Sequence, residues 1–132
     1  VISKQETFDT VCKALIAQGK PAVAVNGYGG RACRYRTEDG CKCAAGHLIP
    51  DDKYNPALEG YSLGDNRVAE AIGDHDRKLV GALQALHDDL AMHHFFDGSV
   101  TRQRTDAEWL VAFKEAAQDY AERHGLDPAV LL

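Results

Sequence analysis

Long apolar runs are missing from this chain. The uninterrupted ones reach only a few residues, as in Ala22-Val23-Ala24-Val25, whereas a membrane-crossing helix needs about 20. The sequence therefore predicts no membrane partner. The N-terminus, Val1-Ile2-Ser3-Lys4-Gln5-Glu6, lacks the basic stretch and apolar core of a secretory signal. Internal repeats and low-complexity tracts are absent as well. An excess of basic charge is missing too: 15 Lys and Arg stand against 20 Asp and Glu, the wrong balance for an overall basic footprint on nucleic acid. Four cysteines are few for a chain long enough to build a core without disulfide staples. They read as reduced thiols, with the protein expected in the cytoplasm.

What remains is ordinary for a folded domain: 132 residues, 45% hydrophobic and 27% charged, so residues 1–132 are read as a single domain. Charge is unevenly spread. Residues 1–50 carry seven basic and four acidic side chains, while residues 51–132 carry eight and sixteen. The pattern is a basic first part on an acidic helical body.

Ser3-x-x-Glu6 is a capping box, and Phe8, Val11, Cys12, Leu15 and Ile16 follow at helical spacing to Gly19. The first helix is predicted over Lys4 to Gln18. Ala22–Val25 reads as a strand before the glycine-rich loop Asn26-Gly27-Tyr28-Gly29-Gly30. Ala32–Arg36 and Cys41–Ala44, flanking Thr37-Glu38-Asp39-Gly40, read as a β-hairpin. From Ala45 to Leu63 the chain is irregular, with Asn55-Pro56 fitted to cap one helical turn. The second half is helical. Asn66 to Ile72 closes at Gly73, and Asp74 or Asp76 caps a long helix with Leu79, Val80, Leu83, Leu86, Leu90 and His94 inward. Thr105-x-x-Glu108 caps another, whose stripe is Trp109, Leu110, Phe113, Ala116, Ala117, Tyr120 and Ala121. Asp127-Pro128 starts a last turn. The expected fold is α+β: a small antiparallel sheet with a hairpin, resting on three or four helices.

Cys33, Cys41, Cys43 and His47 form a C-x7-C-x-C-x3-H pattern. Three thiolates and an imidazole are the donor set of a closed, tetrahedral zinc site, although one residue between Cys41 and Cys43 is tighter than usual spacing. Hairpin register decides whether they can meet. A two-residue Asp39-Gly40 turn sets Arg36 opposite Cys43 and turns Cys33 to the other face. A three-residue loop with a glycine bulge sets Tyr35 opposite Cys43 and places Cys33, Cys41 and Cys43 on one face. The Thr-Glu-Asp-Gly order suits the second. The plainer reading leaves these cysteines in the core. In a third, Cys43 is a nucleophile with His47 as its base, but no orienting group is evident.

Arg31, Arg34, Arg36 and Lys42 are interleaved with Tyr28 and Tyr35, a mix that holds phosphates and stacks bases or simply forms a solvated strand face. Gly27-x-Gly29-Gly30 precedes a strand, whereas a phosphate-cradling loop opens a helix. A dinucleotide fingerprint is therefore rejected. On the long helix, His87, Asp88, Asp89, His93 and His94 invite a metal reading, but the pairs Asp89/His93 and His87/His94 sit on different sides, and histidines there suit the negative end of the helix dipole.

The run Tyr35-Arg36, Asp39-Gly40, Lys42-Cys43-Ala44, Gly46 and Leu48-Ile49-Pro50-Asp51-Asp52, followed by Tyr54 and Pro56, resembles short uncharacterised proteins of tailed phages and prophages. The resemblance is strongest across residues 33–60. Many such proteins carry Cys where this chain has His47, an exchange that suits a ligand position and equally a small buried one. The resemblance implies a setting in the cytoplasm of a bacterial host and brings no activity with it. The expectation is a non-enzymatic accessory protein that binds a host or defence protein through the hairpin and the loop from Gly46 to Gly60. The alternative is a small module stabilised by one zinc ion, with nucleic acid contacted through Arg31, Arg34 and Arg36.

Overall fold

Polar caps set where the helices begin. The Ser3 hydroxyl accepts the amide of Glu6 at 3.1 Å and opens α1, Lys4–Gln18, which ends where Gly19 turns left-handed and returns its N–H to Leu15. Asp65 opens α2, Asn66–Ile72, and Asp76 opens α3, Arg77–Met92, by accepting the amide of Leu79. At α4, Asp106–Arg123, Thr105 and Glu108 exchange both bonds of a capping box, whereas at α1 only the serine half is made. The structure, a computed structural model, describes residues 2–132.

The strands are short. β1, Val23–Val25, pairs antiparallel with β2, Arg31–Cys33, with Ala24 opposite Ala32. Their turn is held by Asn26, whose Oδ1 accepts the amides of Tyr28 and Gly30, both at 2.9 Å. A second ribbon joins β3, Phe95–Phe96, to β4, Thr101–Arg102, around Asp97, which accepts the amides of Ser99 and Val100. The architecture is α+β: four helices and two small antiparallel ribbons.

The hairpin expected between Ala32–Arg36 and Cys41–Ala44 is largely replaced. Ala32 pairs back onto β1, and only the bridge Arg36–Lys42 remains. The reason is local. A ladder needs the Tyr35 amide, and Glu59 takes it, accepting the N–H of Tyr35 at 2.9 Å and of Arg36 at 3.0 Å.

The core lies between the helices. Phe8, Val11 and Leu15 from α1 meet Leu79, Val80 and Leu83 from α3 and Trp109 and Phe113 from α4, all buried. Each such side chain contributes about 1.5–3 kcal/mol on leaving water. Trp109 stacks on Phe113 at 5.2 Å and gives its indole N–H to the His87 carbonyl. Gln5 ties the C-terminal turn to α1 through both backbone groups of Asp127. Among the described residues, no helix is long and apolar enough to cross a membrane.

Candidate functional site: a cysteine–histidine cleft and two ribbons

The Arg36–Lys42 bridge, with the Cys43 amide given to the Tyr35 carbonyl at 3.3 Å and Gly40 at φ 85°, is the glycine-bulge register. Cys33 does not profit from it, because it ends β2 opposite Val23 and never enters that hairpin. Cys41 and Cys43 are buried, and His47 sits half-buried on a 3-10 turn, Ala45–Leu48. Among the described residues, no three of Cys33, Cys41, Cys43 and His47 bring ligand atoms together. The group that does converge is Cys33, His87 and Asp88, with atoms within 4.8 Å of one another.

Cys33 and Asp88 of that group line a cleft of about 400 Å³ bordered also by Cys43, Glu59, Tyr61 and Gln84, with His87 buried behind them. Its hydrogen bonds define its chemistry. The Ala22 amide donates to His87 Nε2 at 3.0 Å, so this nitrogen carries no proton. Nδ1 therefore holds the ring hydrogen and directs it to Asp88 Oδ1 at 2.8 Å. The same oxygen accepts from the Gln84 carboxamide at 2.7 Å, and Gln84 accepts the Ala45 amide at 2.9 Å. His87 is thus committed on both nitrogens. A metal at Nδ1 would have to displace a proton that the other nitrogen cannot take up while Ala22 faces it.

The thiols are equally settled. Burial pushes Cys43 and Cys12 up to about 12. It also raises Cys41, and it raises Cys33 with help from the Asp88 charge. None is an activated thiolate at neutral pH. Cys43 is 1% exposed and its sulfur accepts the Gly46 amide. His47 is brought down to about 4, by burial first and then by Lys42, His87 and Arg36. Cys43 and His47 therefore do not form the nucleophile and base that their spacing allows.

The basic set is mostly engaged with the protein itself. Arg31 donates to the Ala91 carbonyl at 3.1 Å, and Arg34 lies 3.7 Å from Glu59. Arg36 donates to the Ile49 carbonyl at 2.8 Å, pairs with Asp51 at 2.9 Å and covers the Tyr54 ring. Lys42 is held through its backbone by both ends of Gln18, with its ammonium 3.8 Å from Asp51. Tyr35 is buried and donates its hydroxyl to the Tyr61 carbonyl. Tyr28 alone stands free, fully exposed at the tip of the first ribbon.

Glu59, which no motif announces, organises this segment by accepting the two amides and the Tyr54 hydroxyl at 2.7 Å. Gly46 is required because a β-carbon there would overlap the Tyr35 carbonyl oxygen. By sequence His87 reads as serving the helix dipole and not the core, although Leu79, Leu83, His87 and Ala91 recur every fourth residue and all four are buried.

Four of the exposed large apolar side chains lie on the two ribbons, and the others, Tyr61, Val111 and Leu132, are scattered singly. Val25 is 60% exposed and Tyr28 100%, and on the second ribbon Phe96 is 68% and Val100 55% exposed. The Arg31 bond to Ala91 sets the first ribbon beside the last turn of α3, and the second ribbon begins just beyond that helix. An open groove of about 600 Å³ runs along the first ribbon to a wall of Thr37, Glu38 and Asp39. Compared with known protein families, curated proteins and solved structures, the chain matches none.

Proposed function

We propose that this chain is an accessory protein of a phage or prophage that binds a host or defence protein in the bacterial cytoplasm and performs no chemistry of its own. The supporting observation is the pair of ribbons at one end of α3, with Val25, Tyr28, Phe96 and Val100 turned to solvent. Exposed aromatics beside a groove are what a protein partner buries first. The test is retention of bacterial lysate proteins on immobilised chain, run in parallel with a Tyr28→Ser/Phe96→Ser variant. The expected result is one protein held in near-stoichiometric amount by the parent chain and lost from the variant. Equal retention by both, or none by either, overturns the proposal.

A second reading, a small zinc-stabilised module with a nucleic-acid contact, draws on the convergence of Cys33, His87 and Asp88 beside Cys43. It requires the Ala22 amide to release His87. One zinc per chain, with cooperative unfolding on chelation, would support it. A metal-free reduced chain that is folded would reject it.

A further inference from the structure

The sequence has eight arginines. Seven have a partner: Arg31, Arg34 and Arg36 as above, Arg67 with Asp65 and Tyr61, Arg102 with Asp97 and Glu108, Arg104 with the Leu90 carbonyl and Phe95, and Arg123 with Asp119. The Arg77 guanidinium enters no hydrogen bond or ion pair among the described residues. It borders a pocket of about 190 Å³ between the end of α2 and the first turn of α3. Leu63, Ala69, Ile72 and Val80 line that pocket, and Gly64 and Gly73 leave its rim without side chains.

Size and charge together select a ligand. A dry aliphatic cavity of about 150 Å³ holds a benzene ring, so about six to eight carbon atoms fit here. The lining offers one cation at the edge of an apolar floor, and the planar guanidinium matches a carboxylate by two parallel bonds. A hydrocarbon or an alcohol would leave that cation unused, and an amine would be repelled. We propose that the pocket between α2 and α3 binds a short-chain monocarboxylate, its tail among Ala69, Ile72 and Val80 and its carboxylate on Arg77. The site is separate from the ribbons and does not depend on their role.

Nitrogen–proton correlation spectra of the full chain, titrated with hexanoate, 1-hexanol and hexylamine, test this. Hexanoate is expected to shift the amides around Ala69, Ile72, Gly73, Arg77 and Val80 saturably, more tightly than hexanol, with hexylamine weakest. Arg77→Gln should weaken hexanoate roughly fivefold, the scale of one exposed charge pair, and leave hexanol unchanged. Ala69→Leu fills the pocket and should abolish both while the spectrum stays dispersed. Absence of saturable shifts, hexanol binding as tightly as hexanoate, or hexanoate shifts that persist in Ala69→Leu would each overturn the proposal.

Discussion

Ala22 gives its amide hydrogen to Nε2 of His87 across 3.0 Å, in a site closed to solvent. One bond thereby ties the start of β1 to the middle of α3. The ring also packs T-shaped against Trp109, with centroids 5.5 Å apart, and the His87 carbonyl takes the indole N–H. Ribbon, α3 and α4 thus converge on one imidazole. The residue that a ligand search would choose first is a fastener, and its chemistry follows from that duty.

Replacing His87 should therefore cost stability before anything else. His87→Phe keeps an aromatic ring, somewhat larger than imidazole, but strands the Ala22 amide, a loss of about 2–4 kcal/mol, read from the midpoint of urea unfolding. In the parent chain, nitrogen NMR at neutral pH should show the ring proton on Nδ1. That proton should persist after equimolar zinc is added. Its disappearance would mean that metal displaces Ala22 or Asp88, and the fastener reading would fail.

Glu59→Ala should be costly for the same kind of reason. It removes the acceptor of the Tyr35 and Arg36 amides and of the Tyr54 hydroxyl. Unpaired groups of this sort cost about 1–3 kcal/mol each when water cannot replace the lost partner. Partial water access at this half-open cleft points to a total near 3 kcal/mol. Glu59→Gln keeps one acceptor oxygen and should lose about half as much. A midpoint unchanged in Glu59→Ala would show that the 33–60 segment is held by something else.

Much of the fold was legible because it is written locally. Ser3, Asp65, Asp76 and Thr105 precede apolar rows at helical spacing, and the helices begin where those caps stand. Asn55-Pro56 and Asp127-Pro128 mark the two short turns that form there. The second ribbon is not legible because Phe95-Phe96 and Thr101-Arg102 are too short to show alternation. Its Asp97-Gly98 turn was the only signal. The hairpin departs from its sequence signal because Glu59, more than twenty residues onward, takes the amides that a ladder needs. Side-chain capture of backbone at such a distance leaves no periodicity to find. The bond from Ala22 to His87 spans 65 residues and is equally silent, although the burial of His87 is written in its every-fourth-residue row. The expected clusters were drawn from residues near in sequence, whereas the observed one joins β2 to α3.

His47 should make stability fall as the solution is acidified. Burial lowers its folded value to about 4 from an ordinary 6.5. Between those limits the unfolded chain binds a proton that the folded chain refuses, so stability is full above about pH 6.5 and declines towards pH 4. Allowing for solvent screening, the loss amounts to about 2 kcal/mol at most. His47→Gln should flatten the dependence of the unfolding midpoint over that interval. A parent-like slope in the variant would assign the effect to another group.

Tyr28 and Phe96 should behave in the opposite way from His87 and Glu59. Tyr28 is fully exposed and Phe96 is mostly so, and neither side chain supplies a hydrogen bond that the fold uses. Only the Tyr28 backbone amide is engaged, with Asn26, and a serine keeps that amide. Tyr28→Ser and Phe96→Ser, singly or together, should therefore change unfolding free energy by no more than about 0.5 kcal/mol, the scale of ordinary surface substitutions. Amide exchange in β1, β2, β3 and β4 should also match the parent. An aromatic that adds nothing to folding still carries a large apolar surface that a partner can bury. Unchanged stability joined to lost partner retention is thus the signature of a contact surface. A loss above about 1 kcal/mol in either single variant would make these side chains part of the ribbon's own packing, and the binding role would have to be sought on another face.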